Sequence, residues 1–218
     1  APLRLLRPSS SKVYFTHRDM VQAQAGVFAA DEVLDPEHAV DYAFYGSYLG
    51  GGMGAVIFQE IREARSLAYS AGGGYDNGNY KGDDNQVYGS VGSQADKAVE
   101  AVTLLSDLLR RPPIAAKRFS ETKRTIEEGY RNNPTQFRAI PGTIQSWEEQ
   151  GIVGGDPRPR RFAQVLGYGQ KDLETFAGRF KSRPMSYFVL GHRDRVDLNG
   201  LKKLGDFEEK TLEQIFPY

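Results

Sequence analysis

The 218-residue chain contains no cysteine. Disulfides, thiolate metal sites and a cysteine nucleophile are therefore excluded. Histidine is scarce, with three in the whole chain. No apolar run approaches the ~18 residues that a membrane-spanning helix needs. Neither sign of charge is in excess, since 28 Lys and Arg balance 28 Asp and Glu with no long run of either. A surface for nucleic acid or for an anionic membrane needs clustered basic charge, so the sequence argues against both. The opening stretch, APLRLLRPSSSK, lacks the apolar region of a signal peptide and starts at Ala1. The chain is thus expected to have been cut from something longer.

What is present suits a folded domain. Hydrophobic residues make up 39% of the chain, enough to bury a core at this length. No internal repeat or low-complexity linker divides it. Val13 to Thr16 and Val21 to Ala30 read as two strands, from alternation and aromatic content. Pro36 opens a helix running toward Leu49, and Gly50, Gly51 and Gly52 break it. A second helix is expected over 53–65, with Val56, Ile57, Ile61 and Ala64 on one side. Residues 67–92 are rich in Tyr, Gly and Asn and read as an antiparallel hairpin, with Asp76-Asn77-Gly78 as its turn signal.

Asp96 to Arg111 has Ala98, Val102, Leu105 and Leu109 in one helical stripe and stops at Pro112-Pro113. Further helix is expected over 115–132, 143–150 and 171–181, and Met185 to Gly191 reads as a short apolar strand. Hairpins mixed with helix blocks favour an α+β fold with a largely antiparallel sheet packed against several helices. The expectation is a single domain over 1–218.

The residues offer little catalytic chemistry. His17, His38 and His192 are never spaced four apart, so neither HExxH nor HxxEH occurs. Three unrelated histidines are the plain expectation. There is no G-x-S-x-G elbow, and Ser66 and Ser70 have no histidine nearby in sequence. Gly50-x-Gly52-x-x-Ala55 fits the dinucleotide fingerprint in letters only, because a helical pattern precedes it where a strand is required. A helix stop and tight turn is the better reading. Asp83 and Asp84, with Tyr75, Tyr80 and Tyr88, admit a sugar-stacking carboxylate pair, but a solvated hairpin with cross-strand aromatic pairs is favoured.

One stretch carries a recognisable pattern. YLGGGMGAVIFQEIREARSLAYSAGGGY, Tyr48 to Tyr75, has Leu49-Gly50-Gly51-Gly52, then Phe58, Arg62 and a tyrosine seven residues on, Tyr69. It resembles the C-terminal half-domain of the insulinase/pitrilysin family of inverted-motif zinc peptidases, which includes mitochondrial processing peptidase. VQAQAGVFAA, LLSDLLRRPP and FVLGHRDRVD extend the likeness more loosely, and LKKLGDFEEKTLEQIFPY is like the ending of long bacterial members.

The resemblance implies similar α+β domains arranged as a two-part clamshell. The first half carries HxxEH and the zinc; the second lacks them and closes over the peptide. This chain resembles the second half, so no catalytic residue and no metal ligand is expected on it. The zinc-bearing domain, on the same polypeptide or another, and a peptide substrate are the partners implied. The pattern also assigns Arg62 and Tyr69 to the substrate backbone. An arginine offers a fork of donors to a peptide carbonyl, and a phenol can donate to a developing oxyanion. Taken alone, Arg62 could equally pair with Glu60 or Glu63, and Tyr69 could simply pack under the hairpin. Arg65 lies at the wrong place for the pattern. Two other readings stand beside this one: a scaffold subunit without peptidase action, and a stand-alone peptide- or glycan-binding module built on the Tyr75–Tyr88 hairpin. No compartment follows from the residues, although bacterial relatives of this kind are commonly exported.

Overall fold

The computed structural model describes residues 1–63 and 67–217. Twelve-residue β2 (Gln22–Val33) shows the patterning most clearly. Ala23, Ala25, Val27 and Ala29 are buried, while Gln22 and Gln24, which flank Ala23, are exposed. It lies between β4 (Asp84–Gln94) and β5 (Ser186–Gly191), antiparallel to both. β3 (Ala68–Asp76) pairs antiparallel with β4 at one edge. β1 (Lys12–His17) runs parallel to β5 and to β6 (Asp206–Glu209), which forms the other edge. Among the described residues the sheet order is β3-β4-β2-β5-β1-β6. Three antiparallel pairings and two parallel ones give the α+β fold with a largely antiparallel sheet.

The longer helices pack on one face of this sheet, and the short α8 (Leu212–Ile215) lies by the other. α1 (Ala39–Gly50) packs on β3, and α2 (Ala98–Arg110) packs on β4 and β2. α3 (Ala116–Asn132) and α5 (Arg158–Gly167) pack outside α1, with α4 (Ile140–Glu149) joining them in sequence; α6 (Gln170–Ala177) also reaches α1. The α2 stripe of Ala98, Val102, Leu105 and Leu109 is fully enclosed. Two short helices, α7 (Leu198–Lys202) and α8 (Leu212–Ile215), complete the chain.

The core is one cluster with an aromatic centre. The Tyr45 ring stacks on Phe180 at 5.2 Å and Tyr42 stacks on Tyr75 at 5.0 Å. Buried phenols need partners. Tyr45 donates to the Leu109 carbonyl at 2.7 Å, and Tyr75 donates to Asp31 at 2.8 Å. Burial, reinforced by the nearby Asp31 charge, pushes both phenols far above their ordinary pKa. Asp31 is itself completely buried and is neutralised by Arg179 at 3.2 Å and Arg183 at 2.9 Å.

Several expectations need correcting. The second helix is a π-helical turn, Phe58–Glu63, preceded by a short helical start at Val56; Ala64 and Arg65 lie outside the described residues. The hairpin does not turn tightly on Asn77-Gly78. Its reversal is the loop 77–83, held from within: Asp83 accepts the backbone N–H groups of Asn79 at 3.1 Å and Tyr80 at 3.0 Å, and the left-handed residue is Gly82. α5 and β6 had no forecast at all.

Candidate functional site

The triple glycine ends α1 by bringing it against β3. A Cβ on Gly50 would lie 1.7 Å from the Gly73 carbonyl oxygen, so only glycine permits this helix–strand contact. Gly52, with φ +111°, then turns the chain toward the π-turn. The glycines thus act as the helix stop and turn that the sequence favoured over a dinucleotide loop.

Ile57, just before the π-turn, and Ile61 within it are fully buried and fix the turn to the core. Arg118 of α3 ties it from outside, with Nη2 3.7 Å from Glu60 and Nε donating to the Gly54 carbonyl at 3.2 Å. The turn leaves Arg62 exposed, its guanidinium 5.0 Å from the Phe58 ring centre. π-turns insert one residue into a helical turn and recur at functional sites.

The Leu67 N–H donates to the Ile61 carbonyl at 3.2 Å, drawing the start of β3 back to the π-turn. Arg62 immediately follows Ile61 in the π-turn, and Tyr69 lies two residues beyond Leu67. Pairing of β3 with β4 slips between Ala68 and Ser70, which puts Tyr69 at a bulge. A bulge re-aims the side chain it carries. Tyr69 is 57% exposed, and its hydroxyl accepts from Gln94 Nε2 at 3.3 Å. It lines a cleft of about 560 Å³ with Val21, Gln22, Gln94, Asp96 and Arg195. Gln22, Gln94 and Arg195 escaped the sequence reading, because only the sheet register brings strand ends and the turn after β5 beside Tyr69. Ser70 is an exposed strand residue; Ser66 lies outside the described residues.

The acidic hairpin pair does something else. Asp83 and Asp84 are each 4% exposed, contrary to a solvated hairpin. Asp83 accepts the Leu3 N–H at 2.7 Å, and Asp84 accepts the Leu5 N–H at 2.8 Å and holds Arg4 and Arg7 at 3.0 and 2.7 Å. Together they clamp the strap formed by residues 2–7. Burial raises the Asp84 pKa, but the Leu5 N–H and the two guanidinium groups outweigh it and hold the carboxyl low. Tyr75 faces the core, so it is not offered to a ligand.

The histidines are less unrelated than the sequence suggested. His17 and His192 meet edge to face at 5.1 Å, because β1 and β5 run in register. Each Nδ1 accepts a backbone N–H, from Arg193 and Asp194 respectively. His38 stands apart, paired with Asp41 at 3.0 Å. Among the described residues no group of three or more His, Asp or Glu side chains could hold a metal ion. The described residues therefore do not fit a zinc site. No helix among the described residues is long and apolar enough to cross a membrane.

A family model described as the peptidase M16 inactive domain matches residues 3–125. The chain belongs to this family. The M16 inactive domain also shares its fold with solved structures of low identity. The peptidase M16 inactive domain from Pseudomonas fluorescens is 14% identical, with a TM-score of 0.71, covering 88% of this chain and 46% of its own. The periplasmic protease PqqL from Escherichia coli is 13% identical, with a TM-score of 0.66, covering 86% and 21%. A chain of Complex III2 from Candida albicans is 13% identical, with a TM-score of 0.61, covering 89% and 49%. The chain thus spans about half the length, or less, of these structures. No curated protein matches it.

Proposed function

We propose that this M16 inactive domain is the non-catalytic, C-terminal part of a zinc endopeptidase. It forms one domain over 1–218, pairs with an HxxEH-bearing domain, and closes over an unstructured peptide. The observation that carries the reading is Tyr69, exposed on a bulge and lining a cleft, with Arg62 exposed in the π-turn that the Ile61–Leu67 bond ties to β3. An exposed phenol carried on a strand bulge beside a cleft favours a role in binding.

In this reading Arg62 donates to a peptide carbonyl next to the scissile bond. Tyr69 donates its phenolic proton as a hydrogen bond to the oxygen that gains charge at the attacked carbonyl. Gln94 holds the phenol in place. Closure of the two halves excludes water and fixes the peptide. The zinc supplies its chemistry from the partner half.

The test is peptide cleavage by the assembled enzyme carrying Arg62→Ala or Tyr69→Phe. Both variants are expected to fold normally and lose roughly 10- to 100-fold in kcat/KM. Wild-type turnover from both would remove the role, and no cleavage by the wild-type assembly would favour a scaffold subunit.

A further inference from the structure

The end of α2 brings two cations, Arg110 and Arg111, against the segment that leads into β5. That segment adds Lys181 and Arg183, and a pocket of about 590 Å³ opens between them. Asp107 is the one carboxylate among the described residues that line it. The chain as a whole has no net charge, so the excess is local. Part of it has an ordinary cause. Arg183 pairs with the buried Asp31 at 2.9 Å, and cations are favoured at the C-terminal end of a helix.

Neither cause accounts for how Arg110 is held. Its side chain is partly buried, yet it reaches no carboxylate among the described residues. Nη1 donates to the Tyr187 hydroxyl at 3.2 Å and Nη2 to Ser11 Oγ at 3.5 Å. Ser11 Oγ also accepts the Met185 N–H at 3.2 Å. Both hydroxyls are thus engaged as acceptors, and neither donates its own proton to an acceptor among the described residues. Tyr187 is fully buried, where a phenol proton without a partner is costly. Ser182 lines the pocket with a hydroxyl that makes no hydrogen bond among the described residues, and Arg111 and Lys181 are exposed without an ion pair there. The pocket gathers donors and almost no acceptors.

With Arg183 assigned to Asp31, Arg110, Arg111 and Lys181 face Asp107 alone, an excess of about two positive charges. A carboxylate ligand carries one negative charge; a phosphate monoester carries about 1.5 to 2 near neutral pH. We propose that this pocket binds a small molecule through a dianionic phosphate group. Arg110 spends two of its five N–H donors on Tyr187 and Ser11 and turns the others to the phosphate oxygens. Lys181 and Arg111 flank the charge, and the Ser11 and Ser182 hydroxyls donate to it. The volume leaves room for the rest of a small ligand. The Tyr69 cleft is lined by Ala95 and Asp96, at the opposite end of α2, and thirteen helical residues span about 20 Å. The phosphate site is therefore separate from the peptide cleft and does not depend on the peptide-binding reading.

The test follows amide NMR shifts of the 218-residue chain during titration with inorganic phosphate, phenyl phosphate and dimethyl phosphate at constant ionic strength. Saturable shifts centred on Ser11, Arg111 and Ser182 are expected with the first two. Dimethyl phosphate, which carries a single charge, is expected to bind roughly tenfold more weakly. Arg110→Gln is expected to weaken phenyl phosphate binding roughly tenfold, and Lys181→Gln several-fold. Lys181 is exposed and outside the core, so its variant reports on the pocket even where Arg110→Gln disturbs the fold. Shifts that spread over the surface without saturating, or unchanged binding by both variants, would overturn the site. Dimethyl phosphate binding as tightly as inorganic phosphate would overturn the dianion and give the pocket to a phosphodiester, such as a lipid headgroup.

Discussion

Gln94 Nε2 donates to the Tyr69 hydroxyl at 3.3 Å, joining the last residue of β4 to the bulge of β3. Gln94 is exposed, so this bond restrains the phenol without building the core. Gln94→Ala is therefore expected to leave the melting temperature unchanged within about 2 °C. It is expected to lower kcat/KM of the assembled peptidase by a few-fold, less than Tyr69→Phe, because the proton donor remains but is less well placed. Steady-state kinetics of the two variants and their double mutant check this. Losses that multiply independently would separate Gln94 from Tyr69.

Gly50 is expected to be the least replaceable glycine. An alanine there would meet the Gly73 carbonyl oxygen at 1.7 Å, and neither backbone can yield without shifting α1 from the sheet. Gly50→Ala is expected to cost about 3 kcal/mol, or roughly 10 °C in thermal melting. Gly54→Ala is the control, since nothing lies within 4 Å of its added Cβ.

The clamp on residues 2–7 is expected to open in acid. Leu5 and the Arg7 and Arg4 guanidinium groups depress the Asp84 pKa below its usual 3.8 despite burial. A depressed carboxylate stabilises the folded state fully above its unfolded pKa, and that contribution fades as pH falls through the lower, folded value. The strap is thus expected to stay closed at neutral pH and loosen only below about pH 4. Amide NMR shifts of Leu3 and Leu5 report it, and Asp84→Asn should show the loosened positions already at pH 7.

Much of the fold was legible because local signals and tertiary packing agreed. α2 is the clearest case: its apolar stripe, its Pro112-Pro113 stop and its burial coincide. β6 was not legible. Asp206-Phe207-Glu208-Glu209 has a loop's composition, and it becomes a strand only because β1 offers an edge to pair with. Charged side chains on such an edge also discourage pairing with other chains. Asp83 and Asp84 misled for a related reason. Adjacent carboxylates read as solvated until residues 80 positions away supply their hydrogen bonds. At the candidate site, the family pattern is what pointed to Arg62 and Tyr69. The bulge and the Gln94 partner were not legible, since both depend on strand register, and the π-turn was not because its apolar spacing reads as ordinary helix.

Zinc content and peptide cleavage, measured on one preparation of the purified chain and again after adding a zinc-bearing half, bear most directly on the non-catalytic assignment. The expected result is well below one zinc per chain and no cleavage alone, with cleavage appearing once the partner is present. Stoichiometric zinc together with cleavage by the chain alone would contradict it, and would require a metal site that none of the described histidines and carboxylates forms.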